Sequence, residues 1–454
     1  MRRTTRWARN RELARLALDR GTDEAVTRVR LAVSRSERAR QLRVELERRH
    51  AREVVESLGH MKGALMKLGQ MASYLDEGMP EHLRVTLAQL QQDAPPMDPL
   101  LAVAEVEREL GGPLRRFFAS FDDEPLAAAS IGQVHGAVTR DGQAVVVKVQ
   151  YPGIADAIAA DLGNAELLGT ILGSVFAGLE PRPLVDELRT RIGEELDYTI
   201  EAANQRLFAD YYRDHPRIAV PEVRADLSTR RVLVSARAHG ARLSEVESWA
   251  QSERDLAAEC IFRFVFRSLY RLSAFNGDPH PGNYLFRPGG HITFLDFGLV
   301  KRFTPDETAR FRALITAMTA GDAPGFRSAL ETAGLLKRGA PFTDDEVFGW
   351  FEHFYEIVRH DHPITITPEY ASSVVRHTFD RRQSAILGWA NVPPGFALIQ
   401  RINLGLFAVL ARLGARAHYR RIATELWPWV DAPPSTPMGT AEAIWVAHRW
   451  PAAD

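Results

Sequence analysis

Two polar segments separated by a short apolar run constrain this 454-residue chain more than any other feature. The first reads Asn-Gly-Asp-Pro-His-Pro-Gly-Asn over 276–283, and the second reads Asp-Phe-Gly from Asp296. Asp278 and Asn283 are five positions apart, the interval at which a phosphotransferase loop presents a base and a metal ligand. Asp296 follows a β-prone run, 292–295, from which its carboxylate can reach a phosphate-bound magnesium ion. The combination predicts phosphoryl transfer with Mg²⁺; the alternative is a turn whose Asp and Asn cap helices.

Lysine is scarce in this chain, which makes each lysine informative. Lys and Arg total 57 residues and only five are lysines, so the ordinary surface cation here is arginine. A lysine is therefore a candidate for a role that the broad guanidinium fills badly. Lys148 lies in a valine run, 144–149, which we predict to form a hairpin with 133–138 through a turn at 140–142. Because strand neighbours face opposite ways, Lys148 points away from its immediate neighbours, either toward nucleotide phosphates or into solvent as the charged residue that protects an edge strand from pairing.

Small residues precede the hairpin, at the place where a glycine-rich loop over phosphates is expected. They are Ala127, Ala128, Ala129 and Ser130. Small side chains let backbone N–H groups approach a phosphate, although alanine disfavours the positive φ that glycine allows. The segment is therefore a candidate phosphate-covering loop.

Acidic residues are concentrated in the segment 194–201. Asp197 and Glu201 are four positions apart, so we expect them to share one helix face, with Glu195 nearby. Like charges at this spacing repel, and a cation from elsewhere in the chain would offset that cost. The segment predicts an acidic partner for Lys148, with a solvated acidic face as the alternative.

The N-terminal region is predicted to be basic and then helical. Residues 1–40 carry 12 arginines against five acidic residues, which indicates a basic surface arm rather than a targeting segment. Apolar residues over 54–75 recur at alternating spacings of four and three, which predicts an amphipathic helix. Lys67 and Gln70 lie three positions apart on one face of that helix.

The composition excludes several classes of protein. A net charge of −1 argues against a nucleic-acid partner. The single cysteine, Cys260, excludes a disulfide scaffold and a zinc site built from cysteines. The sequence has no run of about 20 charge-free apolar residues, so we expect a cytoplasmic protein whose only membrane contact is peripheral, at the inner face.

These motifs, in this order, resemble those of the AarF/UbiB/ADCK family of atypical, protein-kinase-like proteins. The resemblance covers roughly residues 50–305. Lys67-Leu-Gly-Gln70 is similar to the family's KxGQ signature, Ala127–Ser130 to its alanine-rich loop, Lys148 to its nucleotide-binding lysine, Glu195 and Asp197 to its ExD motif, and Glu201 to the glutamate that pairs with the lysine. Asp278 and Asn283 resemble its catalytic-loop residues, and Asp296 its metal-binding DFG aspartate.

The resemblance implies an α+β, two-lobed protein-kinase-like fold, with an N-terminal helical extension packed over the active site. The expected parts are a basic arm (1–45), the helical KxGQ extension (46–120), a kinase-like N-lobe (121–240) and a helical C-lobe with the catalytic loop and DFG (241–454). It also implies ATP or ADP bound with Mg²⁺. A lipid or quinone-precursor ligand would follow from the family's place in ubiquinone and other isoprenoid-lipid metabolism.

The same resemblance implies a role for each matched position. Asp278 would be catalytic, Asn283 and Asp296 would bind the metal, and Lys148, Glu201 and Ala127–Ser130 would bind ATP. Lys67 and Gln70 would gate the site through Glu195 and Asp197.

Two other functions stay open at this point. Small-molecule phosphotransferases of the aminoglycoside or choline kinase type have a similar catalytic loop, but they lack the KxGQ helix and the paired ExD acids. A nucleotide-sensing pseudokinase scaffold would bind nucleotide without turnover. In addition, the hinge segment 235–240 lacks the family's usual apolar residue and acid, which leaves the nucleotide preference open.

Overall fold

A computed structural model describes residues 99–129, 131–155, 193–277, 280–379, 385–390 and 405–451. Predictions made on the helix 54–75, Lys67, Gln70, Ser130 and Asp278 lie outside the described residues. The chain divides into two compact units, the first comprising Met1–Asp98, Ala128–Gly132 and Tyr151–Ile192, and the second comprising Pro99–Ala127, Gln133–Gln150 and Gly193–Asp454. The division into arm, extension and two lobes stays a prediction.

A helix and a four-stranded sheet come first among the described residues. Helix α1 comprises Pro99–Leu110. The sheet has the order β1 (Phe118–Ala129), β2 (Gly132–Thr139), β3 (Ala144–Gln150) and β5 (Val232–Ala236), which confirms the predicted hairpin. Alternate valines of β3 are fully buried, because they face the core while Lys148 faces the other way. Lys148 lies opposite Leu233 of the antiparallel neighbour β5.

The first strand corrects the sequence prediction for the alanine segment. Ala127–Ala129 are the last residues of β1 and not a loop. The strand lies at the edge of the sheet and most of its side chains are exposed, so it lacks the alternation of apolar and polar residues that reveals a strand. Acidic residues and a proline, 122–125, are tolerated there because an edge strand need not pair on both sides.

The chain returns to this sheet at β5 and then leaves it for the helical remainder of the unit. Helix α2 (Tyr198–Tyr211) is followed by the short strand β4 (Ile218–Ala219) and then by β5. After β5 the chain passes through Gly240, where any Cβ atom would lie 2.7 Å from the carbonyl oxygen of Phe286. Only glycine allows so close an approach, and backbone hydrogen bonds in both directions join Ala241 to Phe286.

The remaining strands surround the two polar motifs. Helix α3 (Leu243–Val246) and the long helix α4 (Gln251–Arg271) precede them. The strands are β6 (Ala274–Asn276), β7 (Tyr284–Arg287), β8 (His291–Phe294) and β9 (Val300–Arg302). Strands β7 and β8 form a hairpin, β8 is parallel to β4, and β6 pairs with β9.

Helices make up most of the rest. Those with both ends described are α5 (Pro305–Ala320), α6 (Ala323–Ala333), α7 (Asp344–Glu352), α8 (Glu356–Arg359), α9 (Pro368–Phe379), α10 (Tyr419–Leu426) and α11 (Pro437–Arg449), with the short strands β10 (Ile364–Thr365) and β11 (Arg416–Ala417) between them. The largest apolar core runs through α4 and the hairpin β7–β8, and a smaller one lies among α5, α6 and α7. Within the described ranges, no helix is both long and apolar enough to cross a membrane.

A group of buried charges attaches the last helix to α4. Arg263, which is 0% exposed, donates to Glu259 (2.8 Å), Glu442 (2.7 Å) and Glu425 (2.7 Å). Arg267 donates to Glu442 at 2.5 Å. We call these five residues the arginine cluster. Because each carboxylate meets a guanidinium, the desolvation cost of these charges is offset within the cluster.

Candidate active site

Lys148 lies at the centre of a second group of charges. Its Nζ donates to both carboxylate oxygens of Glu201 at 2.8 Å, and it lies 3.6 Å from Oδ2 of Asp296. The side chain of Lys148 is 18% exposed and that of Asp296 is 31% exposed, so this group, which we call the lysine cluster, is open to solvent on the side of Asp296. The structure thus brings together three residues that the sequence analysis singled out separately.

The charge of Lys148 is strongly held in this position. Burial alone would lower the pKa of Lys148, but the carboxylates of Asp296 and Glu201 outweigh burial and raise it well above its ordinary value. The lysine therefore stays protonated. Two carboxylates against one ammonium leave the cluster with a formal charge of −1, which a metal cation nearby would offset.

Glu201 is positioned by a polar face on α2. Residues of this helix that face inward include Glu201, Asn204 and Gln205, which are all buried. Each has a partner: Glu201 accepts from Lys148, Asn204 Nδ2 donates to the carbonyl of Phe297 at 3.2 Å, and Gln205 Nε2 donates to the carbonyl of Pro221 at 2.7 Å. Buried polar side chains are tolerated only with such partners, so this face fixes the rotation of α2.

Apolar side chains on either side present Asp296 to the cluster. Phe294 at the end of β8 stacks on Phe264, with ring centroids 3.6 Å apart, and Phe297 packs on Phe208 of α2 at 4.9 Å. Because both phenylalanines are buried, the aspartate between them turns toward solvent. The side chain of Asn276 donates to the Asp296 carbonyl at 2.6 Å.

The glycine of the Asp-Phe-Gly segment packs closely against Asp296. Gly298 N–H donates to Oδ1 of Asp296 at 2.9 Å. A Cβ atom on Gly298 would lie 3.3 Å from that same oxygen and 3.6 Å from Oε2 of Glu201. A side chain here would therefore crowd the carboxylate of Asp296, whereas its contact with Glu201 would be an ordinary one.

Asn283 ends a 3₁₀ turn, Pro281–Asn283, that leads directly into β7. Its backbone carbonyl accepts from the N–H of Leu295 at 3.0 Å, which places Asn283 beside the segment that leads to Asp296. An amide and a carboxylate are the hard oxygen donors that Mg²⁺ prefers, usually in combination with phosphate oxygens. The donor chemistry at this end of the hairpin therefore fits a magnesium ion held with a nucleotide.

The acidic ExD segment differs from the prediction in one respect. Asp197 does not lie on a helix face with Glu201; it is the N-cap of α2, and its carboxylate accepts from the N–H of Thr199 at 3.0 Å. Aspartate is strongly preferred at that position because it satisfies a free N–H of the first turn. Arg230 lies 3.5 Å from the other oxygen of Asp197, and Glu195 is half-buried just before the cap.

Tyr198 is a site residue that the sequence analysis did not identify. It is the first residue of α2 and is almost completely buried. The Nζ of Lys148 lies 5.1 Å from the centre of its ring, within the range of a cation–π interaction. Tyr198 follows the N-cap directly and precedes Glu201 by about one helical turn. This spacing is the sequence signal from which its contact with Lys148 could have been predicted.

The comparisons with known proteins come from sequence and from structure. Residues 89–330, more than half of the chain, match the family described as the ABC1 atypical kinase-like domain. The chain is 38% identical over 252 residues to ACTIVITY OF BC1 COMPLEX KINASE 3, a chloroplastic protein of Arabidopsis thaliana, over 54% of this chain and 35% of the relative. It is 27% identical to the mitochondrial atypical kinase COQ8 of Saccharomyces cerevisiae, over 83% of this chain and 76% of the relative.

One solved structure is similar to this chain over almost the whole length of the solved protein. It is the Rv3197 protein of Mycobacterium tuberculosis, solved in complex with erythromycin, with a TM-score of 0.64 and 30% sequence identity. The similarity covers 87% of this chain and 99% of the solved one. Together with the family match it confirms a kinase-like fold of mixed helix and sheet. Among the curated relatives the shared length varies, and the match covers about a third of the Arabidopsis protein.

Proposed function

This chain belongs to the ABC1 family of atypical kinase-like proteins, and from that premise we propose that it is a Mg²⁺-dependent, ATP-binding kinase or ATPase of the UbiB type. The observation that carries the proposal is the position of Lys148 between Glu201 and Asp296. Phosphoryl transfer is mostly positioning and electrostatic stabilisation, and this arrangement supports both.

The residues of the chain would divide the work as follows. Lys148, held by Glu201, would neutralise the α- and β-phosphates, and Asn283 with Asp296 would hold Mg²⁺. When bound, the ion would neutralise the charge of the phosphate oxygens. The resemblance assigns Asp278 to orient or deprotonate the attacking hydroxyl or water. Ala127–Ser130 would contact the phosphates, and Lys67 with Gln70 would cover the site through Glu195 and Asp197.

A role in quinone or other isoprenoid-lipid metabolism, with a lipid or quinone-precursor ligand, is part of the same proposal. It is supported by the sequence similarity to proteins named COQ8 and UbiB. We propose a cytoplasmic location with peripheral contact at the inner face of the membrane. The charge of +7 over residues 1–40 supports attraction to anionic lipids.

The test compares ATP hydrolysis by the full chain and by Asp296→Asn, with and without Mg²⁺. Each reaction is run alone, with anionic lipid vesicles, and with a quinone-like phenol. We expect Mg²⁺-dependent hydrolysis that lipid or phenol stimulates and that Asp296→Asn abolishes. Asparagine keeps the oxygen that accepts from Gly298, so the variant changes charge more than shape.

Two outcomes would contradict the proposal. Nucleotide binding without any turnover that depends on Asp296 would identify a pseudokinase scaffold. Phosphorylated aminoglycoside or choline products, formed without lipid, would identify a small-molecule phosphotransferase. Mass spectrometry of the products separates these two results.

A further inference from the structure

A cavity of about 590 Å³ lies beside α4 and α11, and its lining includes no residue of the lysine cluster. The volume is within the range of sites for small organic ligands. Four charged side chains line it, together with two aromatic ones: Arg267, Arg271, Glu425, Glu442, Tyr211 and Trp450. The charges and the aromatic rings together define the chemistry that the cavity can accept.

The carboxylates of this cavity are already satisfied. Glu425 accepts from Arg263 at 2.7 Å and from the backbone N–H of Ser435 at 2.7 Å. Glu442 accepts from Arg263 at 2.7 Å, from Arg267 at 2.5 Å and from His215 at 3.3 Å. A cationic ligand would therefore have to compete with buried guanidinium groups for its partners.

The positive charge of Arg271 is, by contrast, not matched by a carboxylate. Arg263, Arg267 and Arg271 are spaced by four on α4, so they lie along one face of the helix. Arg271 donates to the carbonyls of Leu426 (3.2 Å) and Trp427 (3.5 Å), and it forms no ion pair within the described part of the chain. Burial and the charge of Arg267 lower the pKa of Arg271, although Tyr211 and Glu442 oppose this.

The wall of the cavity is aromatic. The rings of Tyr211 and Trp450 lie 5.1 Å apart, and Trp450 is 46% exposed although it is one of the largest apolar side chains. Leu272 and Val446 extend the apolar surface. A flat apolar body can pack on these rings while a polar head reaches α4.

We propose that this cavity binds a small planar carboxylate, with its anionic group on Arg271 and its apolar body against Trp450 and Tyr211. Arg271 has no carboxylate partner among the described residues, so its guanidinium is the group of this face that can take one carboxylate. The site goes beyond the proposed nucleotide chemistry and does not depend on it.

The test measures binding of three naphthalene probes to the full chain by calorimetry: 2-naphthoate, neutral 2-naphthalenemethanol and cationic 2-naphthylmethylammonium. We expect 2-naphthoate to bind at least about tenfold more tightly than the other two, because a charge-assisted hydrogen bond is worth about that factor. Arg271→Gln should remove this preference. Trp450→Ala should weaken both the acid and the alcohol about equally.

Three control measurements keep the test decisive. Arg338→Gln removes an exposed arginine from the surface and should change nothing. Lys148→Met should leave 2-naphthoate binding intact, because Lys148 is not part of the cavity lining, whereas binding at the active site would be lost with it. Trp450 is partly exposed, so its variant is informative even where Arg271→Gln folds poorly. Equal affinity for acid and alcohol, an unaffected Arg271→Gln variant, or loss of binding in Lys148→Met would each overturn the proposal.

Discussion

The lysine cluster and the arginine cluster both pair basic side chains with carboxylates, but they differ in how far they are open to solvent. In the lysine cluster one compact ammonium is shared by Glu201 and Asp296, and the side chain of Asp296 is about a third exposed. In the arginine cluster the fork of Arg263 reaches three glutamates and is closed to solvent. The first arrangement leaves room for a ligand's charges, whereas the second is complete in itself.

The difference explains where this chain keeps a lysine. Arginine presents several donors in a fixed plane and suits a permanent bridge between helices. Lysine presents a small charge at the end of a flexible stem, so it can contact two carboxylates on one side and a phosphate on another. Of the 57 basic residues only five are lysines, and one of them, Lys148, lies in the candidate active site.

The largest effect is expected from breaking the arginine cluster. Arg263→Met should lower the free energy of unfolding by about 3–5 kcal/mol, because it leaves buried carboxylates without their partner. Urea denaturation measures the change. The nucleotide affinity of the molecules that remain folded should be unchanged. A loss below about 1 kcal/mol would mean that the cluster does not hold α11 to α4.

A substitution in the lysine cluster should lower turnover and leave stability nearly unchanged. Lys148→Arg keeps the charge but cannot place one compact donor between both oxygens of Glu201. We expect kcat/KM for ATP to fall by about 10²–10³-fold, the cost typical of removing one well-placed donor, with little change in unfolding free energy. Unchanged turnover in this variant, measured beside Arg338→Gln as a matched control, would refute the role of the lysine.

Tyr198 provides a finer test of how Lys148 is held. Tyr198→Leu removes the ring face and should weaken ADP binding by about three- to tenfold, which corresponds to a partly desolvated cation–π interaction. Tyr198→Phe keeps the face and should restore the affinity. Adenosine lacks phosphates, so its affinity should not change in either variant. A parallel loss of adenosine binding would indicate a purely structural role.

The smallest effect concerns pH and the histidine beside the arginine cluster. His215 Nδ1 accepts from two backbone N–H groups, and its Nε2 contacts Glu442. Burial lowers the pKa of His215 in the folded chain, although Glu442 opposes this. At a pH below about 6.5, the ordinary pKa of a histidine, the unfolded chain therefore binds more protons than the folded one. Stability therefore falls as the pH falls through this range.

The matching variant is His215→Asn, whose amide oxygen can accept in place of Nδ1 but cannot titrate. Between pH 7.5 and pH 5.5 the native chain should lose about 1 kcal/mol more unfolding free energy than the variant. His291 and His353 also have lowered pKa values, so the difference between the two proteins, and not the absolute slope, is the measurement. Equal slopes would show that His215 titrates normally.

Local patterns around the site could be predicted because neighbouring residues encode them. Two β-prone runs joined by a turn signal predicted β2 and β3 to within about one residue. The pairing of Lys148 with Glu201 followed from a family motif and is present in the structure. The roles of these residues in catalysis stay predictions.

What could not be predicted depends on contacts between distant residues. Arg263 and Glu442 are 179 positions apart, and no spacing rule connects them. The ring of Tyr198 meets a lysine on a different strand for the same reason. Asp197 was placed on a helix face, whereas its preference for the cap position decided its place.

The distance in sequence between Arg263 and Glu442 also affects when the chain can fold during its synthesis. At a translation rate of about 5–20 residues per second, roughly ten to forty seconds pass between the two residues on the ribosome. During that interval the guanidinium of Arg263 has Glu259 but not Glu442, so burying it would be unfavourable. Helix α4 therefore cannot complete its packing until α11 has left the ribosomal tunnel.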